Sequence, residues 1–200
     1  MTQSRTFLAR FKPLINRLLP FCAALVTSTG AMALEPGQAL PSLAIDRAGA
    51  LEVVDNKSRY SDWSTDSMTA EITLLQVLKA SRTAADINMP FLDNFEDRYG
   101  GDQRIASVTI IDTNSIPSLL GGFVKRELKK NKQDHPEAII VNDRAGTAAA
   151  AWSLPSAQAI IILLDAQQQV LLKQVGQIPL GEHEAWLGVI EEQLESGSRD

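Results

Sequence analysis

The chain has 200 residues, of which 44% are hydrophobic and 22% charged, and its formal net charge is −5. This composition is ordinary for a globular protein and suits one domain with a leader and a sizeable core. An acidic chain is a poor candidate for binding nucleic acid, because that affinity depends on neutralising phosphates.

The first 33 residues have the pattern of a secretory signal peptide. Four basic residues precede a short apolar segment, residues 18–26, and an A-x-A cleavage site ends at Ala33. The apolar segment contains Pro20 and is about nine residues long, whereas a helix that spans a bilayer needs roughly twenty. An uncleaved membrane anchor is therefore the lesser alternative, and we predict export with cleavage after Ala33.

The mature chain contains no cysteine, because the only one, Cys22, lies in the leader. Phe21 precedes it, where a bacterial lipoprotein signal needs a small residue, so we do not expect lipidation. Disulfide exchange and peroxide reduction need a thiolate and are excluded for the mature protein acting alone. Removing the leader's four basic residues from the total of 19 leaves 15 against 24 acidic residues, a formal charge of −9.

We predict one folded domain over residues 34–196, without a transmembrane segment, and a disordered tail at 197–200. Its first elements are two short strands, 42–45 and 51–54, which form a hairpin around a glycine-containing turn. The polar residues 55–68, with Trp63 among them, are predicted as a surface loop.

The continuous apolar run at residues 72–78 predicts a buried central strand of an α/β sheet. Apolar residues at i, i+4 spacing from Ile87 to Tyr99 predict an amphipathic helix, which Asn88 caps. Residues 105–111 predict the next strand, parallel to the first if a right-handed crossover joins them.

A second helix is predicted from Pro117, with four apolar residues on one face and basic last turns. The apolar positions are Leu120, Phe123, Val124 and Leu128, and the basic ones are Lys125, Arg126, Lys129, Lys130 and Lys132. Cations near a helix C-terminus interact favourably with the macrodipole, so a solvated helix end is the simpler explanation. A docking patch for an anionic partner or a membrane surface is the alternative.

The last third of the chain predicts a third strand, a small-residue segment, an antiparallel hairpin and a final helix. These occupy residues 138–141, 147–152, 159–164 with 170–175, and a helix from about 181–184. The helix buries Trp186, Leu187, Ile190 and Leu194, and we expect fraying from Glu195.

This order of elements resembles a thioredoxin-like domain of the peroxiredoxin and exported thiol-reductase type. Residues 37–41 with Asp46 and Gly49 resemble its opening, and residues 140–146 followed by Trp152 resemble part of its ending. The resemblance implies an α/β fold with a central mixed sheet, flanking helices and an N-terminal β-hairpin extension.

Two redox hallmarks of that group are missing here. Residues 80–84 (Ala-Ser-Arg-Thr-Ala) stand where the redox members have C-x-x-C, and the position of their cis-proline falls on Ala159 or Gln158. The redox activity is therefore not carried over.

Six further blocks follow one another across the domain: 75–76, 82–83, 109–117, 123–125, 131–132 and 151–154. On these blocks the chain is identified as a member of the YtfJ family of small exported proteins in Gram-negative bacteria. The resemblance implies a periplasmic location.

The turn after the central strand is the first candidate site, because ligands gather beyond the carboxyl ends of strands in α/β sheets. It holds Ser81, Arg82 and Thr83. The next helix offers free N–H groups, and Arg82 adds a fork for a carboxylate or phosphate. Alternatively, Ser81 or Thr83 only caps the helix.

Asp112 and Asn114 follow the neighbouring strand, which predicts a carboxylate near Arg82. The pair either holds the loops together or forms a polar recognition cleft. Trp152 either packs in the core or lies as an anchor at the same edge. The two histidines have no metal-ligand spacing, and we expect neither a metal nor a cofactor.

Two function hypotheses remain from the sequence. The first is a non-catalytic periplasmic module that recognises a protein or a small anion at turn 81–83. The second is an enzyme at the same turn, with Asp112 or Asp86 as the acid or base.

Overall fold

The computed structural model describes residues 34–197. The strands are β1 Ala44–Val54, β2 Lys57–Ser64, β3 Ile72–Lys79, β4 Ile105–Asp112, β5 Ile139–Asp143, β6 Ala159–Asp165 and β7 Val170–Val175. The helices are α1 Arg82–Asp86, α2 Met89–Tyr99, α3 Gly121–Asp134, α4 Thr147–Ala151 and α5 His183–Gly197. The predicted signal peptide and residues 198–200 lie outside the described residues.

The strands form one mixed sheet in the order β2-β1-β5-β4-β3-β6-β7. Strands β3, β4 and β5 are parallel, and the remaining pairings are antiparallel. This confirms the predicted α/β architecture and the parallel pairing of the two apolar runs. It also places β3 inside the sheet, between β4 and β6.

The side chains of β3 alternate between two cores, because successive residues of a strand point to opposite faces. Leu75 and Val77 pack with residues of α4, whereas Ile72 and Leu74 pack with α2 and α5. Burial on both faces explains why residues 72–78 form an uninterrupted apolar run.

The predicted hairpin around residues 46–49 is wrong. Strand β1 runs through that segment, and the hairpin turn lies at Asp55 and Asn56, whose φ angles are 50° and 60°. Two successive positive φ angles define a two-residue turn for which Asp and Asn are well suited. The N-terminal hairpin extension therefore exists, but it joins β1 to β2.

Residues 46–49 form an irregularity within β1, and the register with β2 shifts between Ile45 and Ala50. A Cβ on Gly49 would lie 2.1 Å from the carbonyl oxygen of Ser61, so only glycine fits there. The predicted surface loop at 55–68 is also wrong, since most of it is β2 and Trp63 is buried. Most residues of this edge strand are polar and exposed, which gives the segment the composition of a loop.

Helix α3 begins after a 3-10 turn rather than at Pro117. Val124 and Leu128 pack toward the sheet, but Leu120 and Phe123 are 50% and 54% exposed, so the predicted common apolar face is wrong. Val124 and Leu128 are four residues apart and lie in line on the helix, whereas Phe123 is turned about 100° away from Val124.

The final helix buries the four predicted apolar residues, and it continues through Glu195, where we expected fraying, to Gly197. The predicted hairpin of β6 and β7 is confirmed. The small-residue segment forms α4.

Asn88 ties the start of α2 to the segment after β7. Its side chain makes no capping bond; instead Nδ2 donates to the carbonyl of Gly176 at 3.0 Å, and Oδ1 accepts from the N–H of Ile178 at 2.8 Å. Asn88 is 3% exposed and Ile178 is fully buried. The bond to Ile178 therefore satisfies a backbone N–H that water does not reach.

We expect Asn88→Ala to lower the free energy of unfolding by about 1–3 kcal/mol, because the buried N–H of Ile178 loses its acceptor. Urea denaturation measures the change. Asn131→Ala, on the exposed side of α3, is the matched control and should shift stability by less than about 0.5 kcal/mol. Equal losses for the two variants would contradict the role of Asn88.

Candidate functional site

The three parallel strands each end in a charged residue at the same level of the sheet. Lys79 of β3 is the register partner of Asp112 of β4, which in turn is the partner of Asp143 of β5. Register partners on neighbouring strands point to the same face. A row of three charges therefore lies at the carboxyl edge of the sheet, on the face that α4 covers.

Lys79 and Asp112 form an ion pair, with 2.6 Å between Nζ and Oδ2. Asp112 is 8% exposed, whereas the Lys79 side chain is 38% exposed. The other carboxylate oxygen of Asp112 accepts from the N–H of Asn114 at 2.9 Å. Both oxygens of the buried carboxylate thus accept hydrogen bonds, and the carboxylate holds the first residues of the loop after β4.

Asp143 organises the next loop in the same way. Its side chain is 1% exposed, and its two oxygens accept from the N–H groups of Ala145 at 3.2 Å and Ala148 at 2.9 Å. The second bond satisfies an N–H in the first turn of α4, a group that has no partner within the helix. Sequence reasoning did not single out Asp143, although a carboxylate that ends a strand just before a turn is a recognisable signal.

Ser81 caps α1, which is the second of the two alternatives that the sequence left open for this turn. Its Oγ accepts from the N–H of Ala84 at 3.2 Å and donates to Oε1 of Gln158 at 3.1 Å. The turn after β3 is thereby joined to the residue just before β6. Arg82 and Thr83 are exposed, and the Arg82 side chain forms no hydrogen bond or ion pair with residues 34–197.

The expected pairing of Asp112 with Arg82 is wrong, because the partner of Asp112 is Lys79. Lys79 is still in the strand and points to the same face as Asp112, whereas Arg82 lies beyond the turn, in α1. Strand register decides which cation reaches the carboxylate.

Trp152 lies in the core and not at a surface. It is 1% exposed, and its Nε1 donates to the carbonyl of Pro41 at 2.8 Å. Asn114 is exposed and lies beside Gly146, where the loops after β4 and β5 meet. The structure therefore brings Asp112 and Asn114 together, leaves Arg82 and Thr83 exposed at the start of α1, and separates Trp152 from them.

A cleft of about 170 Å³ opens beside the ion pair. One wall is formed by the ends of β3 and β4, including Lys79 and Asp112, and another by the loop from Leu154 to Ala157. Of the six predicted site residues only Asp112 lines this cleft. Lys79 and the loop were missed, because neither strand register nor the approach of a segment 75 residues away is visible in local sequence.

The cleft presents a cation that has spare hydrogen-bonding capacity. A lysine ammonium has three donors, and among the described residues Lys79 uses one of them, toward Asp112. Within residues 34–197 no cluster of three or more His, Cys, Asp or Glu side chains is placed to hold a metal ion. In the same range, no helix has the length and apolar character needed to cross a membrane.

We expect a double-mutant cycle of Lys79→Met and Asp112→Asn to give a coupling free energy of about 1–2 kcal/mol, between the limits for exposed and buried pairs. Chemical denaturation of the four proteins measures it. The exposed pair Lys130 and Asp134 is the control, and its coupling should be clearly smaller. A coupling no larger than that of the control would show that the pair at the cleft does not hold the loop.

Solved structures of low sequence identity share this fold. A candidate thiol:disulfide interchange protein DsbE from Chlorobium tepidum is 16% identical, with a TM-score of 0.54 over 82% of this chain and 98% of that one. A domain of a candidate thiol-disulfide isomerase from Cytophaga hutchinsonii is 15% identical, with a TM-score of 0.53 over the same shares. At this identity the likeness shows a thioredoxin-like fold and nothing of the chemistry.

Curated relatives include the uncharacterised protein YtfJ of Escherichia coli, which is 24% identical over 74% of this chain and 81% of that protein. An uncharacterised protein of Haemophilus influenzae is 25% identical over 76% of this chain and 83% of that protein. The family model of bacterial proteins of unknown function, YtfJ_HI0045, matches residues 34–193. The chain therefore belongs to the YtfJ family, as its sequence blocks predicted.

Proposed function

We propose that this protein is an exported, non-redox binding protein of the thioredoxin fold. In this proposal it recognises an anionic group, carried by a protein or a small molecule, at the cleft and turn beyond the carboxyl end of β3. The observation that carries the proposal is the asymmetry of the ion pair. The carboxylate of Asp112 is buried, while the ammonium of Lys79 is 38% exposed.

The surroundings of Lys79 favour an anion over a cation or a neutral ligand. An incoming carboxylate or phosphate accepts hydrogen bonds from the two remaining donors of Lys79, and charge-assisted bonds of this kind are the strong ones. Arg82, on the adjoining turn, adds a second exposed cation. Ser156 contributes a hydroxyl to the lining.

The size of the cleft favours a small group. Sites for drug-sized ligands occupy roughly 300–1,000 Å³, whereas this cleft has about 170 Å³. It suits a single carboxylate or phosphate, such as a side chain, a chain terminus or a small organic anion, better than a nucleotide-sized cofactor.

The chemistry of the turn supports binding without redox activity. Residues 34–200 contain no cysteine, so the turn has no thiolate to exchange. Both oxygens of Asp112 already accept hydrogen bonds, and Asp86 lies exposed on α1, outside the cleft lining. No observation therefore favours the acid–base alternative.

Two features support export as part of the proposal. The family match begins at residue 34, directly after the predicted cleavage site. Leu34 is 3% exposed, and its carbonyl accepts a hydrogen bond from Nζ of Lys173. The first residue of the predicted mature chain is thus built into the fold.

We expect the expressed full-length chain to accumulate in the periplasmic fraction with Leu34 as its first residue, because signal peptidase cleaves after small residues. Cell fractionation and intact-mass spectrometry check this. Ala33→Asp should retain the leader. A soluble parent that keeps residues 1–33 would contradict export.

We expect the mature chain to bind small anions, with inorganic phosphate and citrate as the probes, and Lys79→Gln to weaken that binding by about tenfold or more. Arg82→Ala should weaken it by roughly twofold to fivefold, because its charge is exposed. Isothermal titration calorimetry at low salt measures both.

Arg59→Ala is the matched control, since Arg59 is an exposed cation on β2, far along the sheet from β3. It should leave the affinity unchanged. For a protein-borne anion, crosslinking in periplasmic extract should capture a species that Lys79→Gln and Arg82→Ala both lose. Equal weakening by Arg59→Ala, or neither probe binding and no capture that depends on Lys79, would refute the proposed site.

A further inference from the structure

The start of α3 carries the most exposed apolar group among the described residues. Leu119 is 94% exposed, and Leu120 and Phe123 are 50% and 54% exposed. Single exposed apolar residues are common on protein surfaces, but here three fall within five positions of the chain. We call these three side chains the apolar tip.

Cations follow the apolar tip directly. Lys125 and Arg126 are exposed, and the guanidinium carbon of Arg126 lies 6.0 Å from the centre of the Phe123 ring. Residues three and seven positions apart lie on one side of a helix. Phe123, Arg126 and Lys130 therefore share the face that points away from Val124, Leu128 and the core.

This basic surface is local in an acidic protein. Helix α3 contains five basic residues and two acidic residues, Glu127 and Asp134, whereas the whole chain carries a formal charge of −5. One of the five, Lys132, bonds the carbonyls of Pro136 and Ala138 and belongs to the helix end. Lys130 also pairs with Asp134, and Arg126 lies directly against the Phe123 ring.

We propose that this face of α3 docks on an anionic lipid bilayer. Leu119, Leu120 and Phe123 enter the boundary between headgroups and acyl chains, and Arg126 and Lys130 lie against the lipid phosphates. Exposed apolar residues next to a basic stripe on a helix are the combination that binds membrane interfaces, through buried apolar area together with attraction to anionic lipids.

The combination of exposed apolar side chains and cations favours a bilayer over nucleic acid as the anionic partner. Nucleic acid engages the cations and leaves the side chain of Leu119 in water, since its affinity comes mainly from phosphate contacts. Helix α3 has 14 residues, which is too short to span a bilayer. The helix therefore lies on the membrane surface, with its opposite face still packed on the sheet.

Co-sedimentation with lipid vesicles tests this proposal. The sample is the chain 34–200, whose core is contained within the described residues. We expect partitioning onto vesicles of phosphatidylglycerol and phosphatidylcholine, little onto phosphatidylcholine alone, and release by salt. The double variant Arg126→Ala and Lys130→Ala should partition about 25-fold more weakly, since each cation near the surface contributes about fivefold. Leu119→Ser with Phe123→Ser should also reduce partitioning on the anionic vesicles.

The controls carry matched changes elsewhere on the chain. Lys57→Ala with Arg59→Ala removes two exposed cations from β2, and Leu180→Ser removes a leucine that is 72% exposed; neither should change partitioning. Thermal unfolding verifies that every variant is folded. Equal partitioning onto neutral vesicles, no partitioning at all, or no loss in the two α3 variants would overturn the proposal. Binding of an acidic protein in place of vesicles would also overturn it.

Discussion

A carboxylate that is only 8% exposed needs donors in the protein, and Asp112 obtains them from Lys79 on the neighbouring strand and from the backbone of its own loop. Withdrawing a charge from water costs several kcal/mol unless partners compensate. The pair therefore holds the carboxyl ends of β3 and β4 and the start of the following loop in one arrangement. Asp143 acts in the same way on the next strand, through backbone N–H groups alone. Together the two carboxylates fix the first residues of the loops that follow β4 and β5.

The same arrangement of strands and loops serves other chemistry in other proteins of this fold. In this chain the residues at the carboxyl edge of the sheet differ from theirs. Ser81 stands in the turn after β3, where it caps α1 and bonds Gln158. A hydroxyl used in this way holds two segments together and has no redox chemistry. What the edge still presents is positive charge, from Lys79 within the cleft and Arg82 beside it. This positive charge is the basis of the anion binding that we propose.

The two proposed surfaces lie on opposite faces of the sheet. Val141 packs in the core with α4, which contributes to the cleft, whereas the preceding residue, Ile140, packs with Leu128 of α3. Successive strand residues point to opposite sides, so a bilayer under α3 leaves the cleft on the other face. A protein arranged in this way presents its anion site away from the lipid surface on which it rests.

Local sequence patterns were sufficient to predict that β3 is a buried strand and that a parallel strand follows it. They also predicted the hairpin of β6 and β7, the buried side chains of α5 and the family. These depend on periodicity and on residue types within short windows. The hairpin at Asp55 and Asn56, the exposed side of α3 and the partner of Asp112 depended on the tertiary structure. An edge strand has the composition of a loop, a helix face is apolar or exposed according to what packs on it, and strand register decided that Lys79, rather than Arg82, meets the buried carboxylate.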